Sequence, residues 1–240
     1  MITVGLPTWK NDRILWFALE GLARQECDVP WELIVMECVS NNRSVVNSYR
    51  KALKKAGCIR VKYAHMTKRV PLLIKWKAIA NNATGTVFCL QGSDDYPQPG
   101  RNQKAWDALS NGHDWFHSQY FYQYSITYQK MLLYNRDTLL NTNRVGYNNS
   151  MLTKDVRGVP DTWQKRGIDN YLFRNIKPKK PFYDSSTPDG GLSSDGLNSL
   201  SLNRHLFYKK ARPPFVNTSK SIYDIGMPES VVKRLIALKV

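Results

Sequence analysis

Thr84-Gly85-Thr86-Val87-Phe88-Cys89-Leu90-Gln91-Gly92-Ser93-Asp94-Asp95-Tyr96-Pro97 decides how this chain is read. An apolar run of strand length ends in two adjacent carboxylates and a proline. A buried strand that delivers Asp-Asp to its carboxyl end builds a site for a hard divalent cation, Mg²⁺ or Mn²⁺, which in turn holds phosphates. Ser-Asp-Asp before a proline is also ordinary turn chemistry. What surrounds the stretch decides between the two.

Upstream, apolar strands alternate with helical periods. Ile2–Leu6 reads as a strand stopped by Pro7, and Arg13–Arg24 as a helix. Trp31–Met36 is a second strand, Val46–Ala56 a basic amphipathic helix and Cys58–Tyr63 a third strand. Pro71–Asn82 is a helix leading to the strand Val87–Leu90. Continuous apolar strands between helices predict an α/β fold with a mostly parallel sheet covered on both faces. Such sheets bind ligands at the carboxyl ends of their strands, where Pro7-Thr8, Glu37 and Asp94-Asp95 all fall. That convergence favours the cation site.

Beyond about residue 120 the texture changes. Tyr120–Tyr134 is aromatic and β-like, with antiparallel pairing expected, and Val159–Ile176 contains a helix. Proline, glycine and serine accumulate from Pro178 onward, as in a loop or lid, before a short apolar helix at Glu229–Leu238. The stripe Tyr120, Phe121, Tyr122, Tyr124, Tyr128 reads as core rather than as a stacking platform. The texture divides one domain into 1–120, 121–180 and a loop-rich C-terminal lid at 181–240.

Composition narrows the function class. Hydrophobic content of 42% is globular, and no apolar run approaches the roughly 18 residues of a membrane span. The start of the chain lacks the basic region of a signal peptide, and Cys27, Cys38, Cys58 and Cys89 have no metal-like spacing. Both point to a cytoplasmic protein with reduced thiols. The formal net charge is +16. No acidic residue lies between Glu37 and Asp94, a stretch holding Arg43, Arg50, Lys51, Lys54, Lys55, Arg60, Lys62, Lys68, Arg69, Lys75 and Lys77. A second acid-free stretch, Gly196–Tyr223, carries Arg204, Lys209, Lys210, Arg212 and Lys220. Basic surface at this density expects a polyanionic partner.

Three segments resemble family 2 glycosyltransferases of the GT-A fold. Ile2-Thr3-Val4-Gly5-Leu6-Pro7-Thr8-Trp9 through Glu37-Cys38-Val39-Ser40 is similar to the family's opening, an apolar strand to Pro-Thr and a second strand to Asp-Asp-Gly-Ser. Ala83 to Asp95 is similar to its Ala-Thr-Gly…Asp-Ser-Asp-Asp segment, and Gly167-Ile168-Asp169-Asn170-Tyr171-Leu172-Phe173-Arg174 to its Gly-Glu-Asp-x-x-Leu-x-x-Arg helix start. The sequence departs from that pattern at Cys38, Val39, Gly92 and Ile168.

The resemblance implies a nucleotide-diphosphate sugar donor, expected to be a UDP-sugar, and a divalent metal. By it Pro7, Thr8, Glu37, Ser93 and Asp94 bind the nucleotide, Asp94 and Asp95 bind the metal, and Asp169 is the base. Lys75 and Lys77 are candidates for the diphosphate, or else extend the basic face. Glu37 also fits a loop acid, and Asp169 a helix N-terminal acid. His205 is a candidate extra metal ligand or a structural histidine. Lys209, Lys210 and Arg212 are candidates for polyanion contact. The expected acceptor is DNA bearing a hydroxylated base, as in phage or viral DNA modification. The alternatives are a lipid-linked phosphorylated acceptor, and a non-catalytic nucleic-acid-binding domain on the same fold.

Overall fold

The computed structural model describes residues 1–125, 130–135, 149–161, 168–184, 215–217, 221–222 and 226–238. Seven strands form a mixed sheet in the order β3-β2-β1-β4-β8-β5-β9. They are β1 (Ile2–Trp9), β2 (Trp31–Cys38), β3 (Cys58–Met66), β4 (Val87–Leu90), β5 (Trp115–Ser118), β8 (Ser150–Leu152) and β9 (Pro181–Asp184). Three more, β6 (Tyr120–Ser125), β7 (Lys130–Asn135) and β10 (Phe215–Asn217), form an antiparallel sheet. The helices are α1 (Leu15–Leu22), α2 (Arg43–Lys55), α3 (Leu72–Asn81), α4 (Arg101–Ser110), α5 (Thr153–Gly158), α6 (Ile168–Ile176) and α7 (Glu229–Ile236). No helix among the described residues is long and apolar enough to cross a membrane.

β1, β2, β3 and β4 run parallel, as the continuous apolar runs predict, and every residue of β2 is buried. Alternation along β1 and β2 sends Ile2, Val4, Leu6, Leu33 and Val35 into a core with α1, α2 and α4. Ile34 and Met36 face the other core, built with α3, α5 and α6. A third cluster joins Trp16 and Phe17 of α1 to Tyr122, Tyr124 and α7. Tyr122 and Tyr124 therefore belong to a core, while Tyr128 lies outside the described residues.

Two expectations need correction. Pro7 does not end β1, which pairs with β2 as far as Trp9–Cys38. The Gly5 carbonyl accepts from Gln91 on the β4 side, and main-chain groups alternate along a strand. The N–H that Pro7 lacks would face that same side, where β4 has already stopped pairing at Gly5–Leu90, so no ladder bond is lost. The loop-like stretch after Pro178 also contains β9, whose parallel pairing with β5 makes it the sheet's outer strand. Its four residues are too few for a periodic signal.

The base of the sheet is pinned by a buried carboxylate. Glu32 accepts bonds from Thr3 Oγ1 (2.7 Å), Thr84 N (2.6 Å) and Arg60 Nε (2.8 Å). Burial pushes its pKa up, but these donors outweigh burial and hold the carboxyl below its ordinary value. Such a group stabilises the fold above its unfolded pKa and ceases to as pH falls through the lower folded one. Acid unfolding curves below about pH 4.3, the ordinary glutamate value, should therefore flatten in Glu32→Gln relative to the parent.

Gly85 shows how closely this corner packs, since a Cβ there would stand 2.6 Å from the backbone of Ile2 and Thr3. Gly158, the last residue of α5, has nothing within 4 Å of its missing Cβ. Denaturant unfolding should give opposite signs, with Gly85→Ala costing about 1–3 kcal/mol and Gly158→Ala gaining up to about 1 kcal/mol.

Candidate functional site

The site is built where β1 and β2 run on past the end of β4. β1 pairs with β4 only to Gly5 but with β2 to Trp9, which leaves a step at the carboxyl edge. The turn after β4 fills it. Gln91 donates its side-chain amide to the carbonyls of Gly92 and Asp95, both at 2.8 Å. Arg101, buried at the start of α4, holds Gln91 Oε1 at 2.7 Å and the Leu90 carbonyl at 3.2 Å. From the β1–α1 loop, Asn11 bonds the Ser93 hydroxyl. The turn bearing Ser93, Asp94 and Asp95 is thus fixed from both sides.

Gly92 has a steric reason to be glycine. A Cβ there would stand 2.1 Å from Asp95 Oδ2, so the Asp95 carboxylate occupies the space a side chain at 92 would need. Burial raises the Asp94 carboxyl to about 6. Two adjacent carboxylates at a strand end suit a hard cation, which completes its shell with phosphate oxygens. Among the described residues no group of three or more His, Cys, Asp or Glu side chains gathers as a metal cage. Hard oxygen donors of this kind suit Mg²⁺ or Mn²⁺.

The β1–β2 side supplies an aromatic and cationic wall. The Arg69 guanidinium lies 3.8 Å from the centre of the Trp9 ring. Thr8 is buried, and its hydroxyl has no hydrogen-bond partner among the described residues. Lys75 reaches from α3 to the Thr8 carbonyl (3.0 Å) and Cys38 Sγ (3.6 Å). It is only 4% exposed, and burial lowers its pKa. Val39, the first residue beyond β2, sits at φ 77°, a strained conformation for a β-branched side chain.

The remaining candidates divide. Glu37 is fully buried rather than a loop acid. Its carboxylate accepts bonds from Asn42 N (2.7 Å), Ser40 Oγ (2.7 Å) and the Tyr63 hydroxyl, so it secures the start of α2 beneath the rim. Lys77 is turned away from Lys75, since a helix turns about 200° over two residues. Its ammonium pairs with Asp161 at 2.6 Å. Asp169 is the second residue of α6. Lys179 and Lys180, just beyond α6, bond the Asp114 carboxylate before β5 through their main-chain N–H groups, at the amino edge of the sheet. The chain leaving α6 therefore arrives at that edge. His205, Lys209, Lys210 and Arg212 lie outside the described residues.

Sequence reasoning missed the Arg101–Gln91 brace and the Trp9–Arg69 stack. Both join segments distant in sequence through single side chains, which leave no periodic mark. The signal available for Arg101 was its place directly after Gly100, whose φ of 80° opens α4.

The sequence model of glycosyl transferase family 2 matches residues 3–173. Among solved structures, S. aureus TarS 1–349 in complex with UDP-GlcNAc superposes with a TM-score of 0.64 at 16% identity, over 86% of this chain and 63% of that one. The mannosyltransferase PcManGT of Pyrobaculum calidifontis, in complex with GDP-Man and Mn²⁺, gives 0.55 at 16% identity over 80% and 56%. A putative glucose-1-phosphate thymidylyltransferase of Bacillus anthracis gives 0.51 at 8% identity over 77% and 86%, so the fold alone does not select a reaction. The chain spans less than two thirds of the TarS and PcManGT chains. No curated protein matches it in sequence.

A ligand that binds only the folded state raises the melting temperature. UDP or GDP with Mn²⁺ should do so here, and Asp94→Ala should remove the Mn²⁺-dependent part of the shift. An undiminished shift in the variant would move the cation elsewhere.

Proposed function

Because the chain belongs to glycosyl transferase family 2, we propose that it moves a sugar from a nucleotide-diphosphate sugar to an acceptor hydroxyl, with inversion and with a divalent cation. The observation that carries this is the step at the end of β4. It brings two carboxylates, a buried lysine and an aromatic wall to the carboxyl edge of the sheet.

The nucleotide lies against the Trp9–Arg69 wall and Thr8, and its diphosphate reaches toward Ser93 and Asp94. A bound cation would neutralise charge on the departing diphosphate. Lys75 supplies positive potential from beneath the rim, held in place by the Thr8 carbonyl. Asp169 takes the acceptor's proton as its oxygen attacks the anomeric carbon, while the bond to the diphosphate breaks and the nucleotide leaves with the electron pair. Attack from the face opposite the leaving group inverts the configuration. That TarS is solved with UDP-GlcNAc and PcManGT with GDP-Man and Mn²⁺ supports a nucleotide-sugar donor, with a UDP-sugar the first to try.

The acceptor we propose is DNA carrying a hydroxylated base, in the cytoplasm of a cell or of a virus's host. The +16 charge and the acid-free stretches support it. Such a base must be flipped from the duplex or offered on a single strand. Transfer to a lipid-linked acceptor without measurable DNA affinity would replace this reading.

Donor hydrolysis and transfer should both require Mn²⁺ or Mg²⁺. Asp169→Asn keeps the shape and removes the basicity, so turnover should fall by about 10²-fold or more with donor affinity nearly unchanged. Loss of donor binding with turnover intact would reject Asp169 as the base.

A further inference from the structure

α2 carries Arg43, Arg50, Lys51, Lys54 and Lys55 along the outer edge of the sheet, beside β3. All five are exposed. Among the described residues none of them has a carboxylate within ion-pair distance, although Arg24, Arg60, Lys77, Lys104 and Lys233 do. Two are held in shape by neutral partners. Arg50 donates to the Val61 carbonyl at 3.1 Å, and the Arg43 guanidinium sits 5.0 Å from the Tyr63 ring centre. Across the edge, Lys62 donates to the Asn82 carbonyl at 3.2 Å. At 100° per residue, Lys51, Lys54 and Lys55 fall within an arc of about 100° facing solvent.

We propose that this α2–β3 ridge docks the phosphodiester backbone of a nucleic acid, on the side of the sheet away from β5 and β9. It deepens the reading of DNA as acceptor by giving the strand a second anchor, remote from the reacting base. Of the larger apolar side chains of α2, Val46 and Leu53 are buried in the core and Val45 and Tyr49 pack against it. α2 therefore has no apolar face to lay into a membrane, and lipid attraction through it would be purely electrostatic. The helix is also the right length. The thirteen residues from Arg43 to Lys55 rise about 18 Å from first to last, or about five base steps of duplex at 3.4 Å each.

The test uses the full chain, unmodified duplex DNA, and anisotropy titrations from 50 to 200 mM salt. Lys51→Glu, Lys54→Glu and Lys55→Glu together should flatten the salt slope by about 2.7, so that affinity falls about 40-fold less across that range than in the parent. A control set of equal charge change, Lys154→Glu, Lys179→Glu and Lys180→Glu, should leave the slope near that of the parent. Donor hydrolysis should be unchanged in the α2 set. Lys→Gln at the same three α2 positions gives the same reading if the glutamates lower the melting temperature. Three outcomes overturn the ridge: equal flattening in the control set, no DNA affinity at 50 mM salt, or loss of binding to anionic phosphatidylglycerol vesicles in the α2 set with DNA binding intact. Binding of unmodified DNA requires no transfer. A chain that binds DNA through α2 yet glycosylates none of it would refute the acceptor reading and leave the ridge standing.

Discussion

Everything at the carboxyl edge depends on β1 outrunning β4. The pairing of β1 with β2 continues to Trp9, while its pairing with β4 ends at Gly5. Four residues at about 3.3 Å each open a step of about 13 Å. A sheet whose strands ended level would present a flat edge. Here the turn from Gly92 to Asp95 drops into the step, and Pro7 fits within β1 because its missing donor faces it.

That geometry sets the electrostatics. Burial raises the Asp94 carboxyl to about 6, so the turn holds its negative charge at a cost. Lys75 is a buried ammonium that donates to the Thr8 carbonyl and lies against the Cys38 thiol, with the charge of Glu37 nearby. Glu37 differs, because several donors already satisfy its carboxylate. It shapes the floor of the rim through Ser40, Asn42 and Tyr63.

How much of this the sequence revealed follows from how each feature is encoded. The apolar runs of β1, β2 and β4 are dense, and their order with the intervening helices is legible as a parallel sheet. Asp94-Asp95 stands out because two carboxylates end such a run. Lys75 and Lys77 look alike in sequence, and only the turn of α3 separates one beneath the rim from one paired with Asp161. Pro7 misleads because proline usually ends a strand, and the exception rests on how far a neighbouring strand extends. Gly92 reads as a lost carboxylate until the Asp95 side chain is seen folded against it.

The central claim is that a cation and a nucleotide diphosphate bind together in the step beside β4. Fe²⁺ with peroxide cuts a polypeptide near the metal it replaces, so cleavage with UDP present, mapped by mass spectrometry, locates the site. The account predicts cuts beside Asp94 and near Thr8, dependent on UDP and suppressed by excess Mn²⁺. Cuts confined to other parts of the chain, or the same cuts without UDP, would contradict it.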